Sequence, residues 1–346
     1  MFETRAYAAF AADKPLGPWN LKRRDPRPND IVIDIQFSGI CHSDLHTVRS
    51  EWRDAEYPLV PGHEIIGKVS RVGSGVSRFK VGDLAAVGCM VDSCRTCGSC
   101  KEHLEQYCEK GSTLTYGSTD SDFGVTHGGY AKAIVVDENY ALRAPTNIAP
   151  ERVAPLLCAG ITTYSPLRHW KVGKGSRVAV LGLGGLGHMA VKIANAMGAE
   201  VTMLSGTPSK QADAKKLGAH EFVLTSDASA IKKNASRFDL IIDTVSAPHD
   251  LPTYLGLLKR EGQLVVVGVS PEPLDLHLFP LILKRRSISG SLIGGIAETQ
   301  EMLDFCSTHE LGAEVEVIDP NQINQAYERL LNSDVRYRFV IDTSKL

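Results

Sequence analysis

The sequence lacks long hydrophobic runs, and none of its apolar stretches reaches the roughly 18 residues that a transmembrane helix needs. It also lacks an excess of either charge, because 38 basic side chains face 40 acidic ones and the formal net charge is -2. Such a balance gives no reason to expect nucleic acid or an anionic membrane as a partner. With 43% hydrophobic and 23% charged residues, the composition is that of a globular protein.

A recognisable export signal is lacking as well. The apolar segment 6–12 is barely long enough for the core of a signal peptide, and Glu3 and Asp13 flank it, so we expect a first strand there. We therefore expect a cytoplasmic protein. In that compartment, clustered cysteines more often bind metal than form disulfides.

The length of 346 residues predicts two domains, at about 150 residues per domain. In the first part of the chain, short apolar runs alternate with glycine turns, which predicts a small β-barrel. Segment 15–28 is expected to be a proline-rich loop, because Pro26 and Pro28 exclude a helix. The residues that follow Cys41 are also expected to form a loop. Near the C-terminus, the alternating run 337–341 is expected to return to the sheet of the first domain.

Four cysteines are spaced so that they can close a metal shell: Cys94, Cys97, Cys100 and Cys108. Four thiolates form a complete tetrahedral zinc site that leaves no position for substrate. The spacing therefore predicts a structural zinc, with a disulfide or an iron–sulfur cluster as alternatives. Cys89 and Cys306 lie outside this spacing and are interpreted as ordinary buried thiols.

A second candidate metal site combines Cys41 and His63 with a third ligand from elsewhere, for which Cys158 is the best candidate. Thiolate and neutral imidazole suit zinc, and three protein ligands would leave one position open for water or substrate. The alternative from these residues alone is a core thiol and a hydrogen-bonded histidine with no metal.

The segment 182–187 has the G-x-G-x-x-G pattern of a dinucleotide-binding turn, with Gly182, Gly184 and Gly187 in the defining positions. It stands between a short apolar run and a helical pattern, as that turn requires. Strand-like runs recur with helical segments between most of them, which predicts a parallel, doubly wound sheet; they are 177–181, 201–204, 221–224, 239–242, 263–267 and 287–291. The alternative is a sheet of this kind that binds another nucleotide or none.

The chain also lacks an acidic residue from 201 to 212, where NAD-specific folds place Asp or Glu after the second strand. Ser205, Thr207 and Lys210 could hold a 2′-phosphate instead, so NADP(H) is favoured. The alternative for Lys210 is a solvated residue in the first turn of the next helix.

Taken together, these motifs resemble the zinc-dependent medium-chain alcohol dehydrogenases, and within them the cinnamyl alcohol dehydrogenase group. The resemblance covers essentially the whole chain. The segments that carry it are 39–46, 57–64, the four-cysteine run, 157–162, the glycine turn and 335–339.

The resemblance implies an α/β fold with two domains. A GroES-like β-barrel catalytic domain would comprise 1–158 and 297–346, with a structural-zinc lobe at about 89–110. A doubly wound Rossmann domain that binds NADP would comprise 159–296. It also implies two zinc ions per chain, one catalytic and one structural, and a homodimer by analogy with relatives.

The resemblance further implies roles for individual residues. Cys41, His63 and Cys158 would bind the catalytic zinc, with Glu64 close by and Asp44 hydrogen-bonded to His63. Ser43 would take the alcohol proton and pass it through the nicotinamide ribose toward His46. The expected coenzyme contacts are His42, Thr162, Gly182, Gly184, Gly185, Leu186, Gly187, Ser205, Thr207, Lys210, Ile293 and, at the pyrophosphate, Arg338.

The expected function is hydride transfer between NADP(H) and primary alcohols or aldehydes, aromatic or medium-chain aliphatic. Trp52, Tyr57, Tyr116 and Leu292 are candidates for the wall of the substrate pocket, although each could equally serve plain packing. One alternative is an NAD-linked short-chain alcohol or polyol dehydrogenase. Another, of a different class, is a dinucleotide-binding protein without catalysis.

Overall fold

The computed structural model describes residues 1–120, 124–270 and 272–346. The chain divides into two compact units, which are described separately below. The first comprises Met1–Cys158 and Gly294–Leu346, and the second comprises Ala159–Ile293. Among the described residues, no helix combines the length and the apolar character that a bilayer crossing requires.

Most strands of the first unit are short, and those of the second alternate with helices. In chain order the strands are β1 (Phe2–Ala8), β2 (Gly17–Arg23), β3 (Asp30–Ile40), β4 (Ile65–Val72), β5 (Leu84–Val87), β6 (Met90–Asp92), β7 (Thr113–Leu114), β8 (Thr119–Asp120), β9 (Gly124–Val125), β10 (Ala133–Asp137), β11 (Leu142–Arg143), β12 (Arg177–Leu181), β13 (Glu200–Ser205), β14 (Glu221–Leu224), β15 (Phe238–Asp243), β16 (Leu258–Val266), β17 (Ser287–Gly290), β18 (Val315–Ile318) and β19 (Arg338–Asp342).

The α-helices are short, and several begin at a loop that carries candidate site residues. In chain order they are α1 (His42–Val48), α2 (Gly98–Lys101), α3 (Pro150–Val153), α4 (Ala159–His169), α5 (Gly187–Ala196), α6 (Gln211–Lys216), α7 (Ala228–Lys233), α8 (Leu251–Leu257), α9 (Phe279–Ile282), α10 (Ile296–Thr308) and α11 (Ile323–Leu331).

The first unit is organised around a seven-stranded sheet in the order β11-β5-β4-β3-β19-β18, with β10 also paired to β3. Strand β3 is its longest member, and alternating buried residues such as Ile31, Ile33 and Ile35 anchor it in the core. The C-terminal strand β19 pairs antiparallel with β3, so the predicted return of the chain end to this sheet is confirmed.

The second unit contains a six-stranded sheet in the order β14-β13-β12-β15-β16-β17. Every neighbouring pair is parallel, and helices α5 to α8 occur between the strands, so the predicted doubly wound sheet is confirmed. The strand order reverses between β12 and β15. In sheets of this type, ligands bind outside the carboxyl ends of the strands at that reversal.

Three local expectations were wrong. The first strand spans Phe2–Ala8 rather than 6–12, and the expected loop 15–28 contains β2. These two strands pair over their whole length, with Pro18 opposite Tyr7, so pairing between distant residues overrode the local proline signal. The segment after Cys41 forms α1 instead of a loop, because the Asp44 side chain accepts a hydrogen bond from the Cys41 amide and caps the helix.

Candidate active site

Three separate segments of the first unit bring two thiols and an imidazole together. Cys41 stands between β3 and α1, His63 precedes β4, and Cys158 follows a short 3-10 turn at Ala154–Leu157. The Sγ atoms of Cys41 and Cys158 are 3.8 Å apart. One ligand atom from each of these three residues and from Glu64 lies within 4.8 Å of all the others, and all four residues are buried.

The chemistry of this donor set fits a zinc ion. A hydrogen bond from Cys158 lowers the pKa of the Cys41 thiol well below its usual range, and the same contact raises the pKa of Cys158. Two buried thiolates this close repel each other, so both can ionise together only with a cation between them. Two thiolates and an imidazole are ligands that zinc favours, and three ligands leave a coordination position open.

The carboxylate of Asp44 holds this site together and is fully buried. Oδ2 accepts hydrogen bonds from the Cys41 amide at 2.9 Å and from the Tyr130 hydroxyl at 3.1 Å. Oδ1 accepts one from the Gly62 amide at 3.1 Å and lies 3.1 Å from Nδ1 of His63. A carboxylate only accepts, so Nδ1 carries the hydrogen and Nε2 is left free to bind a metal.

Glu64 and Arg338 form a buried ion pair next to the thiols. The Nη2 atom of Arg338 donates to Oε1 of Glu64, and the two side chains are almost completely shielded from solvent. Oε2 of Glu64 has no hydrogen-bond partner among the described residues. A Cβ atom on Gly39 would lie 1.9 Å from Oε2, so glycine in β3 leaves the space that this carboxylate occupies. The expected contact of Arg338 with pyrophosphate stays a prediction.

The four-cysteine segment forms a second candidate metal site in the first unit. The Sγ atoms of Cys94, Cys97, Cys100 and Cys108 all lie within 4.8 Å of one another. Backbone hydrogen bonds from Thr96 and Cys97 lower the pKa of Cys94 to about 5, so amide groups favour the thiolate that a metal requires. Four thiols gathered in this way fit a closed zinc shell.

In the second unit, the glycine turn has the geometry of a phosphate-binding loop. Gly182 follows β12 with φ +90, a conformation that favours glycine. A Cβ atom on Gly187 would lie 1.9 Å from the carbonyl oxygen of Gly182, whereas one on Gly184 would meet no atom within 4 Å. Gly184 therefore borders open space, Gly185 is partly buried, and Leu186 precedes the first residue of α5. Unpaired amides at such a helix start suit an anion.

The end of β13 lies close to this turn. Nζ of Lys210 donates to the carbonyl oxygen of Leu183 at 2.8 Å, so the ammonium group is anchored at the glycine turn rather than merely solvated. Lys210 ends a 3-10 turn, Pro208–Lys210, that precedes α6. Ser205 is buried at the end of β13, and its hydroxyl accepts a hydrogen bond from the Thr207 amide at 3.2 Å.

Comparison with known proteins agrees with both units. Residues 27–146 match the alcohol dehydrogenase GroES-like domain, and residues 185–308 match the zinc-binding dehydrogenase domain. The chain is 57% identical to NADP-dependent alcohol dehydrogenase C 1 of Mycolicibacterium smegmatis over 100% of this chain and 99% of that protein. The chain belongs to the zinc-dependent medium-chain alcohol dehydrogenases.

Solved structures place this dehydrogenase in the cinnamyl alcohol dehydrogenase group. The Sorghum bicolor cinnamyl alcohol dehydrogenase SbCAD4 is 43% identical with a TM-score of 0.96, over 99% of this chain and 98% of that one. The Helicobacter pylori cinnamyl alcohol dehydrogenase, solved with NADP(H), is 44% identical with a TM-score of 0.93, over 99% of both chains. The predicted family and fold class are therefore confirmed.

The remaining residues expected at the dehydrogenase site have the following positions. Ser43 lies in the first turn of α1, with Oγ 3.6 Å from Sγ of Cys41, and His46 on the same helix contacts the Glu51 carboxylate. His42 is exposed at the start of α1. In the second unit, Thr162 is buried in α4 and Ile293 is partly buried with φ 35.

The four pocket-wall candidates differ in their surroundings. The ring of Tyr116 is buried and stacks on the imidazole of His63, with centroids 5.8 Å apart. Trp52 is half exposed and stacks on His46 at 4.8 Å, and the Tyr57 hydroxyl donates to the carbonyl oxygen of Val48 at 2.7 Å. Leu292 belongs to the second unit and is 54% exposed.

Two residues that contact the candidate active site could not be identified from the sequence. Tyr130 donates to Asp44 across 86 positions of sequence, and its ring would collide with a Cβ atom on Gly62. Cys89, interpreted as an ordinary buried thiol, is only partly buried and contacts Cys158, and this contact contributes to the raised pKa of Cys158. Both contacts join segments that are distant in the chain.

Proposed function

We propose that this chain catalyses hydride transfer between NADP(H) and primary alcohols or aldehydes, and that aldehyde reduction is the dominant direction. Cells generally keep NADPH reduced, which favours reduction. The substrate class is aromatic or medium-chain aliphatic aldehydes, in keeping with the cinnamyl alcohol dehydrogenases that this chain resembles. The observation that carries the proposal is the buried set of Cys41, His63 and Cys158.

A catalytic zinc at this set would polarise the substrate oxygen as a Lewis acid, and NADPH would supply hydride. The chain's own residues would prepare that site. Asp44 orients His63 so that Nε2 is available, and the two cysteines that complete the ligand set are buried. Ser43, beside Cys41, is the hydroxyl proposed to hold the substrate proton, and His46 is proposed to carry it toward solvent with Glu51 as its carboxylate partner.

The proposed preference for NADP(H) rests on charge at the end of β13. Ser205 and Thr207 offer hydroxyl groups, and Lys210 offers an ammonium group fixed at the glycine turn. Residues 201 to 212 include no Asp or Glu, so no carboxylate in this segment would repel a 2′-phosphate. The solved Helicobacter pylori relative that was crystallised with NADP(H) supports this proposed coenzyme preference.

The direct test is an activity assay with metal analysis. Zinc-replete protein should oxidise NADPH in the presence of benzaldehyde, cinnamaldehyde or butanal, and should contain two zinc ions per chain. Cys41→Ser should abolish this activity and lower the zinc content by one. Cys306→Ser is the matched control, because this buried thiol lies in α10 and contacts Met302. No NADPH oxidation with any aldehyde, or full activity in Cys41→Ser, would overturn the proposal.

Coenzyme preference separates the proposal from an NAD-linked alcohol or polyol dehydrogenase. The ratio of kcat/KM for NADPH to that for NADH should favour NADPH. Ser205→Asp should reverse the trend, because a carboxylate there would repel the 2′-phosphate and accept the 2′-hydroxyl of NADH. A dehydrogenase that prefers NADH in its natural form would support the alternative.

We also propose that the chain forms a homodimer through its second unit. Four large apolar side chains are exposed just before the edge strand β17, namely Leu278, Phe279, Ile282 and Leu283, each at least 60% exposed. Among the described strands, β17 pairs only with β16. An apolar patch beside an open sheet edge is suited to pairing with a second copy.

A further inference from the structure

A buried carboxylate–imidazole pair stands at the carboxyl ends of the strands in the second unit. Asp243 is the last residue of β15 and is fully shielded from solvent. Its Oδ2 atom lies 2.8 Å from Nε2 of His249, whose side chain is 9% exposed. The pair borders the point where the strand order reverses between β12 and β15, where sheets of this type bind their ligand.

The proton arrangement in this pair is defined by its neighbours. Nδ1 of His249 lies 2.8 Å from the carbonyl oxygen of Ala247, which can only accept, so Nδ1 carries a hydrogen. Nε2 and Oδ2 then share one further proton, whether it rests on the imidazole or on the carboxyl group. The pair therefore carries no net charge in either form.

Asp243 and His249 fix the loop that connects β15 to α8. Oδ1 of Asp243 accepts a hydrogen bond from the Val245 amide at 3.1 Å, while Oδ2 holds His249. The His249 ring also contacts Tyr254 in α8, with centroids 5.9 Å apart. Both ends of the segment 244–249 are thus tied to one carboxylate.

This loop packs directly on the glycine turn. The Thr244 hydroxyl donates to the carbonyl oxygens of Leu181 at 2.8 Å and of Gly182 at 3.1 Å. A Cβ atom on Gly182 would lie 3.0 Å from both the Thr244 hydroxyl and a Val245 methyl group. Any shift of the loop must therefore move atoms that contact the expected pyrophosphate site.

We propose that Asp243 and His249 are a positioning pair for the coenzyme, which holds the 244–249 loop against the glycine turn. Neither residue is assigned to substrate or hydride chemistry. The inference rests on the proposed binding of NADP(H) and adds a determinant of its affinity. Geometry favours it, since the loop that the pair holds contacts Gly182 in the glycine turn.

Two variants of His249 separate the contact with Asp243 from the contact with Ala247. In His249→Asn the amide replaces Nδ1 and keeps the contact with Ala247, but it is too short to reach Asp243. In His249→Gln the amide reaches the place of Nε2 and can donate to Asp243. The matched control is His220→Asn, in the same unit, where Nδ1 accepts a hydrogen bond from the Val201 amide at the opposite ends of the strands.

The dissociation constant for NADPH is measured by fluorescence titration of the zinc-replete protein without aldehyde, beside the melting temperature of each variant. His249→Asn should bind NADPH about tenfold more weakly, as expected for losing a hydrogen bond to a charged group. His249→Gln loses only the neutral hydrogen bond to Ala247, so its dissociation constant for NADPH should stay within about threefold of that of the natural chain. The aldehyde KM at saturating NADPH and the affinity of His220→Asn should not change.

NADPH affinity unchanged in folded His249→Asn would overturn the inference, as would equal losses in the Asn and Gln variants. If His249→Asn does not fold, His249→Ala, which removes both contacts, takes its place, and unchanged affinity in that variant overturns the inference as well. A lowered melting temperature with unchanged affinity would assign the pair to stability alone. Failure of the natural chain to bind NADPH would instead overturn the proposed function.

Discussion

Asp44 accepts hydrogen bonds from three parts of the first unit, and each acceptor position faces a donor. Oδ2 meets the Cys41 amide and the Tyr130 hydroxyl, and Oδ1 meets the Gly62 amide and Nδ1 of His63. An amide at this position would turn its NH₂ group toward donors whichever way it is flipped. The site therefore requires a carboxylate and not merely a polar side chain.

We accordingly expect Asp44→Asn to lower both stability and zinc affinity. The free energy of unfolding should fall by about 2 kcal/mol, because buried donors lose their acceptor. Zinc should bind roughly 10 to 100-fold more weakly, because His63 is no longer oriented. Urea denaturation and competition with a chromophoric chelator measure the two effects.

The control for this prediction is Tyr130→Phe, which removes one donor and leaves the carboxylate in place. It should cost about 1 kcal/mol of unfolding free energy, the usual contribution of one hydrogen bond. Its zinc affinity should stay closer to that of the natural chain than that of Asp44→Asn. Equal zinc affinity in Asp44→Asn and the natural chain would contradict the role assigned to Asp44.

We expect His127 to make the stability of the first unit depend on pH. Burial, and then the nearby Arg23 guanidinium, lower the pKa of His127 from 6.5 to about 4. Between these values the unfolded chain binds a proton that the folded chain does not, so stability falls as the pH falls from 6.5 toward 4. At pH 5.5 the loss from this one group should be about 1.4 kcal/mol relative to pH 7.5.

His127→Asn should remove that dependence. Its amide oxygen can replace Nδ1, which accepts a hydrogen bond from the Val60 amide at 3.3 Å, but it does not titrate. The difference in unfolding free energy between pH 7.5 and 5.5, measured with zinc held constant, should be smaller in the variant by about 1.4 kcal/mol. Identical pH profiles for the two chains would show that His127 is not responsible.

At the scale of elements, the glycines in the turn between β12 and α5 are required for different reasons. Gly187 is required by packing, because a Cβ atom there would overlap the carbonyl oxygen of Gly182, whereas the space at Gly184 is open. Gly187→Ala should therefore destabilise the protein by about 1 to 3 kcal/mol through overpacking. Gly184→Ala should change the unfolding free energy by less than about 0.5 kcal/mol.

The two variants should differ in a second way. A methyl group at Gly184 would occupy the space in which the coenzyme pyrophosphate is expected to approach the protein backbone. NADPH should therefore bind at least about tenfold more weakly, although the stability of the protein is normal. Thermal melting and NADPH titration on the same samples decide this. Normal coenzyme affinity in Gly184→Ala would mean that the open space beside the turn is not the phosphate site.

Elements defined by local patterns were predictable, and those defined by distant partners were not. Strands β12 and β14 begin and end at the predicted residues, because short β-branched and apolar runs bounded by glycine or polar residues read as buried parallel strands. Strand β2 was missed because its pairing with β1, not its own composition, holds it extended. Helix α1 was missed because its cap is a residue already assigned to metal chemistry.

The same distinction applies to the candidate site. Cys41, His63 and the four-cysteine run could be selected as candidates from residue type and spacing, since metal chemistry restricts both. Tyr130 and the Asp243–His249 pair could not, because tyrosine, aspartate and histidine occur for many reasons and their partners are set only by the folded chain. In particular, the spacing from Asp243 to His249 matches no turn or helix pattern that brings side chains together.

At the scale of the whole molecule, the exposed apolar segment before β17 is the surface proposed as the dimer interface. A second copy that covered Phe279 and Ile282, each more than 70% exposed, would remove apolar area that water otherwise contacts. It could also continue the sheet beyond β17, the edge strand among those described. The candidate zinc ligands all belong to the first unit of one chain, so dimer formation is not needed to assemble them.

Phe279→Glu combined with Ile282→Glu should therefore convert a dimer of the natural chain into a monomer, because two carboxylates would have to be buried in the interface. Light scattering after size-exclusion chromatography should give about half the mass of the natural chain, while the zinc content stays the same. Val81→Glu is the matched control, since this exposed apolar residue lies in the first unit and its replacement should leave the dimer intact. A monomeric natural chain, or a double variant that remains dimeric, would refute the proposed interface.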